Sequence, residues 1–243
     1  MRSKLILLLL FVASYEAVAQ TTEMISEIPA TSLSRWRVST DAGVAYFMNP
    51  IDITCGEGQT DSSHSSRLGY TYGAEACYYF TNDDDISYDF GVGVRIKNTH
   101  FSQTSNVTSI DVDGTELSCG LTDNIDLLSI APFATARLFL FGNRNIIFFN
   151  VAPFCYASYT NNAVFLDYYR IKRSTNGLYL ELIYDRAITN RFCIGTSFTF
   201  NACSFPDYTK FYFDGSKEIV PLQQGERAGM ANFALTAGLS YCF

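Results

Sequence analysis

Two histidines are all that this 243-residue chain contains. No His-x-x-x-His spacing is present, and no two of the seven cysteines form Cys-x-x-Cys, so the sequence offers no zinc motif. Nothing else implies a metal or a cofactor. Gly91-Val92-Gly93 falls inside a strand-like segment rather than before a helix, and Asp83-Asp84-Asp85 lacks the spacing of a calcium loop. Basic residues are in deficit, 17 Lys and Arg against 24 Asp and Glu, for a net charge of -7. An acidic chain is a poor partner for nucleic acid, itself a polyanion. Long apolar runs are also missing. No stretch reaches the roughly 18 consecutive apolar residues that a membrane-spanning helix needs.

What is abundant points to sheet. The chain has 20 Phe, 16 Tyr and 16 Gly against only 4 Met. Aromatics favour strands and form the girdles of membrane barrels, while Gly suits turns and crowded interiors.

The first 19 residues are expected to direct export. Arg2 and Lys4 precede the short apolar run 5–12, and Ala17-Val18-Ala19 supplies small residues for cleavage before Gln20. Removing two basic residues and one acidic residue takes the charge from -7 to -8.

From Trp36 onward, strand-length segments alternate apolar and polar residues with a period of two. In 36–47, Trp36, Val38, Ala42, Val44 and Tyr46 oppose Arg37, Ser39, Asp41 and Gly43. In 68–80, Tyr70, Tyr72, Ala74 and Tyr78 oppose Gly69, Thr71, Glu75 and Cys77. The segment 86–97 is the clearest, with Tyr88, Phe90, Val92, Val94 and Ile96 against Asp89, Gly91, Gly93, Arg95 and Lys97. The segments 128–141, 176–185 and 191–203 repeat the pattern. In 146–159 both faces are apolar, so its phase stays open. The last segment sets Phe233, Leu235, Ala237, Leu239, Tyr241 and Phe243 against Asn232, Thr236, Gly238, Ser240 and Cys242.

Short polar links at 81–85, 142–145 and 186–190 alternate with long ones at 48–67, 98–124, 160–172 and 206–227. Short turns at one end and long loops at the other are the habit of outer-membrane barrels. A soluble sandwich or lipocalin-like barrel gives the same periodicity with the faces reversed. Segments longer than the usual five or six residues, aromatics near their ends, and polar faces rich in Gly, Ala and Ser favour the membrane. The expected fold is all-β: a transmembrane up-and-down antiparallel barrel of about eight strands over 36–243, behind a periplasmic arm at 20–35.

Four stretches carry a resemblance. The opening strand Trp36-Arg37-Val38-Ser39-Thr40-Asp41-Ala42-Gly43 and the terminal Tyr241-Cys242-Phe243 resemble small outer-membrane β-barrel proteins of the OmpA/OmpX-like, porin-like superfamily. Thr71-Tyr72-Gly73-Ala74-Glu75 before Tyr78-Tyr79-Phe80, and Ile130-Ala131-Pro132-Phe133, are similar to segments of its members. The resemblance implies an outer-membrane location among outer-membrane lipid. It also implies that Phe233, Leu235, Leu239, Tyr241 and Phe243 form the signal read by the outer-membrane assembly machinery.

The inferred lumen holds Asp41, Glu75, Asp89, Glu181 and Asp185 against Arg37, Arg95, Lys97 and Arg137. Charges in a narrow interior are costly unless paired, so an ion network that fills the lumen is expected, with a selectivity filter as the alternative. Catalytic residues are not expected. His64 sits in a Ser-rich loop and His100 lies near Ser102, but the sequence identifies no acid to orient either one. Cys77, Cys193, Cys203 and Cys242 fall on interior faces, and export permits a disulfide between Cys55 and Cys119. Three functions stay open: a structural barrel whose long loops contact a surface ligand, a narrow porin for small solutes, and a lipid-modifying enzyme at the rim.

Overall fold

The computed structural model describes residues 34–48, 68–80, 88–110, 116–140, 144–162, 168–222 and 228–243. The expected export segment 1–19, most of the arm, His64 and Cys55 lie outside them, and so does the expected Cys55–Cys119 bridge.

Among the described residues ten strands run in chain order: β1 (Trp36–Phe47), β2 (Leu68–Tyr79), β3 (Tyr88–Ile110), β4 (Glu116–Leu140), β5 (Asn145–Asn161), β6 (Tyr168–Ala187), β7 (Phe192–Phe205), β8 (Asp207–Tyr212), β9 (Lys217–Pro221) and β10 (Ala228–Cys242). Each of β1 to β7 pairs antiparallel with its sequence neighbour, β7 pairs with β10, and β10 closes on β1. Eight strands therefore form a closed barrel, and β8–β9 is a hairpin added to the outer end of β6. Closure leaves the barrel wall without an open edge.

Strand pairing also fixes the barrel's stagger. Partners followed once around run from Trp36 through Tyr78, Val92, Ala134, Val151, Leu180, Phe200 and Phe233 to Tyr46, ten residues further along β1. Eight strands with a stagger of ten tilt by about 40° and enclose a lumen that side chains can fill.

The wall is inverted relative to a soluble protein. Leu239, Phe90 and Val44 on the outward face are 58 %, 57 % and 55 % exposed, whereas Arg95 and Glu75 are 2 % and 3 % exposed. A soluble barrel cannot carry this distribution, because it would present its apolar side to water and bury its charges. Aromatics ring the turn end of the outer face. Trp36 contacts Tyr78 at 5.0 Å between ring centroids and stacks on Phe243 at 6.5 Å, and Phe192 meets Tyr241 at 4.9 Å. Tyr46, Tyr70 and Tyr72 mark the loop end.

Several strands outrun their sequence-based bounds. The segment 98–124, read from the sequence as a long loop into which the third and fourth strands could extend, is mostly strand, because β3 and β4 stay in register as far as Ile110 and Glu116. A hydrocarbon layer of about 25 Å crossed at about 40° takes about ten residues. With 23 and 25 residues, β3 and β4 continue well past it, and β5, β6, β8 and β9 continue the sheet on that side. The expected loop 206–227 likewise contains the β8–β9 hairpin.

The open phase of 146–159 has a physical cause. Pairing on both flanks of β5 slips by one residue around Pro153 and Phe154, between Ala152 and Cys155 on one side and opposite Ile130 to Ala134 on the other. Ile146, Phe148, Asn150 and Ala152 point inward before the bulge; Cys155, Ala157 and Tyr159 point inward after it. Pro153 has no N–H to give the ladder, so the extra residue sits where a bond is already lost.

Candidate functional site

Period two turns the charged residues of neighbouring strands inward at matching heights. The structure places Arg37, Glu75, Asp89, Arg95, Lys97, Arg137, Glu181 and Asp185 fully inside the lumen, with the Asp41 side chain 10 % exposed. Two groups form. Near the turn end, Arg137 pairs with Asp89 at 2.8 Å, donates to the Ser34 carbonyl at 2.9 Å and lies over the Tyr79 ring at 3.8 Å.

The larger group fills the middle. Arg37 bridges Glu75 and Asp185, the latter at 2.9 Å, and lies over the Phe148 ring at 4.4 Å. Arg95 holds Glu75 at 2.8 Å, Glu181 at 3.2 Å and Asp41. Lys97 donates to Thr199 at 2.8 Å and stands 3.9 Å from Asp41. Neutral donors occupy remaining lone pairs: Ser240 on Asp185 at 2.6 Å, Asn150 on Glu181 at 3.1 Å, and Thr236 on Asp41. Shared partners of this kind hold each charge from several sides.

Gly195 is part of this arrangement. A Cβ there would stand 1.9 Å from Asp185 Oδ1, so only glycine leaves that carboxylate its place beside Arg37. Beside Asp41 lies a cavity of about 20 Å³ lined by Arg37, Asp41, Arg95, Asp185, Ser197 and Thr236. That is room for about one water, far below the size of a solute.

Apolar side chains fill the rest of the lumen. Tyr79, Phe133, Phe148, Tyr179 and Ile183 pack along the β4–β6 side of the network. Phe47, Phe101, Ile125, Leu127, Phe205 and Met230 cap it toward the loop end. Sequence alternation does not single these out, because aromatics inside and outside a barrel look alike until the register is known. Among the described cysteines, Cys77, Cys155, Cys193 and Cys242 are buried free thiols and Cys203 is half-buried against the upper apolar cluster.

The residues expected as the assembly signal line the outward face of β10. Leu235 and Leu239 are exposed, Phe233 packs between Phe198 and Phe200, and Phe243 follows the last strand residue.

His100 faces outward from β3, away from the network. Its Nδ1 lies 2.8 Å from Asp126 Oδ1, and its ring lies 4.9 Å from that of Tyr70. Asp126 is the orienting acid that the sequence does not reveal. The two residues are 26 positions apart and meet because β3 and β4 pair directly at that step.

A closed eight-stranded antiparallel barrel with a charged, side-chain-filled lumen and an aromatic-girdled apolar exterior defines the class: a transmembrane β-barrel. No family model and no curated protein matches the chain. Solved structures similar to it include several outer-membrane proteins. The outer membrane protease OmpT from Escherichia coli is 9 % identical, with 90 % of this chain and 99 % of that one covered and a TM-score of 0.48. A major outer membrane protein from Thermus thermophilus is 13 % identical, covering 86 % and 99 %, at 0.47. The attachment invasion locus protein Ail of Yersinia pestis is 11 % identical, covering 85 % and 99 %, at 0.35.

Proposed function

We propose that this protein is an exported outer-membrane barrel that acts through its exterior, stabilising the envelope and presenting its outer strands and loops for surface contacts. The closed lumen carries the reading. Among the described residues, an ion network flanked and capped by aromatic side chains occupies the lumen, which supports a filled barrel over the narrow-porin alternative. The outer half of the molecule gives such a protein something to present. β3 to β6 rise past the membrane and β8–β9 widens that sheet, with Phe213 and Ile219 exposed on the hairpin at 64 % and 67 %. The aromatic outward face of β10, ending at Phe243, supports insertion by the outer-membrane assembly machinery.

Complementation tests this. A deletion strain receives either the intact chain or one whose residues 206–222 are replaced by a short Gly-Ser turn. The intact chain is expected to restore both detergent resistance and adherence of cells to surfaces, and the clipped chain to restore resistance alone. A deletion strain that equals its parent in both assays would overturn the reading.

A further inference from the structure

The outward face of β3 and β4 changes from apolar to polar between Ile96 and Ser102 on β3 and between Leu128 and Asn124 on β4. Ile96 and Leu128 are exposed and apolar, whereas Ser102 and Asn124 are exposed and polar. His100 and Asp126 sit at the change. Apolar exterior giving way to polar marks the membrane interface, the level at which ester carbonyls of lipids lie.

At that level four polar side chains make a two-by-two block. His100 is directly opposite Asp126, and Ser102 directly opposite Asn124. Residues two apart on a strand share a face, and directly opposed residues have Cβ atoms about 5 Å apart. Asp126 accepts from His100 Nδ1 at 2.8 Å, so Nε2 becomes the basic nitrogen of the neutral ring. Asn162 Nδ2 donates to the other Asp126 oxygen at 3.5 Å, and Tyr70 flanks the imidazole at 4.9 Å, so both members of the pair are held from a second side.

We propose that Ser102, His100 and Asp126 form a hydrolytic site on the outer rim that cleaves an acyl ester of an outer-leaflet lipid, with Asn124 as donor to the oxyanion. Ser102 Oγ attacks the ester carbonyl while His100 Nε2 takes its proton. The carbonyl–alkoxy bond breaks, the alcohol leaves with the proton returned by His100, and the acyl group stays on Ser102. Water, deprotonated by His100, then releases the fatty acid and restores the serine. The acyl chain lies along the apolar wall below, over Tyr72, Ile96 and Leu128, while the headgroup stays among the polar residues above.

Refolded protein, its folding checked by heat-modifiable mobility, is incubated with phosphatidylethanolamine vesicles or with lipopolysaccharide, and released fatty acid is measured. A fluorophosphonate probe labels activated serine in parallel. Release from either lipid is expected, and the productive arm identifies the substrate. Ser102→Ala should abolish labelling, Asp126→Asn should slow release at least about 100-fold, and Asp126→Glu should recover part of it. A folded wild type that releases no fatty acid from either lipid overturns the proposal, as does labelling that persists in Ser102→Ala.

Discussion

Arg37 joins carboxylates from two strands that do not touch each other, Glu75 on β2 and Asp185 on β6. Its truncation would leave both acids inside the lumen without their common partner. Breaking a buried ion pair costs about 3–5 kcal/mol. Arg37→Ala should therefore lower the unfolding free energy of the refolded barrel, measured in urea, by about that much, and an unchanged midpoint would mean the network adds nothing to stability. All nine charged positions can be read from the alternation of apolar and polar residues, since period two assigns each side chain to a face. What alternation cannot reach is the partner. The Asp126 carboxylate on His100 and the notch at Gly195 for Asp185 depend on register, which strand pairing across long sequence separations decides.

The strands vary in how legible they are. β1, β2 and β10 follow strict alternation and fall within a few residues of their expected bounds, because each crosses the membrane once and stops. β5 breaks the pattern at the Pro153–Phe154 bulge, and β3 and β4 continue through a polar segment whose composition resembles a loop. Above the membrane the contrast between lipid and lumen disappears, so alternation has nothing to report there. The β8–β9 hairpin is of this kind. Its turn holds Gly215 at φ 84°, and the Ser216 N–H donates to Asp214 at 2.8 Å. Hydrogen bonds from the Ser216 hydroxyl and then its N–H hold the Asp214 carboxyl below the usual carboxylate range. The turn's support is thus full above the unfolded-state value and fades as pH falls through the lower folded one. Gly215→Ala forces a side chain into the left-handed region at a cost of about 1 kcal/mol. Faster amide exchange across 207–221 with an unchanged barrel is the expected result.

At the scale of the whole molecule, closure and filling decide what the barrel can do. Eight strands staggered by ten residues leave a lumen of side-chain width, and this sequence fills it with paired charges and aromatic rings. The same period that places charges inside places Val44, Phe90 and Leu239 against lipid, so one alternating pattern specifies both the membrane wall and the plug. The architecture and the network's members are open to sequence reasoning for that reason. The apolar cap and the projecting sheet are not, because both arise from how far strands continue together rather than from which face a residue takes. Planar-bilayer conductance of the refolded, heat-modifiable protein tests the closed lumen most directly. A lumen filled in this way predicts a folded protein that gives no conductance steps. Stable, salt-dependent steps would contradict it and make Arg95, Lys97 and Arg137 the lining of a pore.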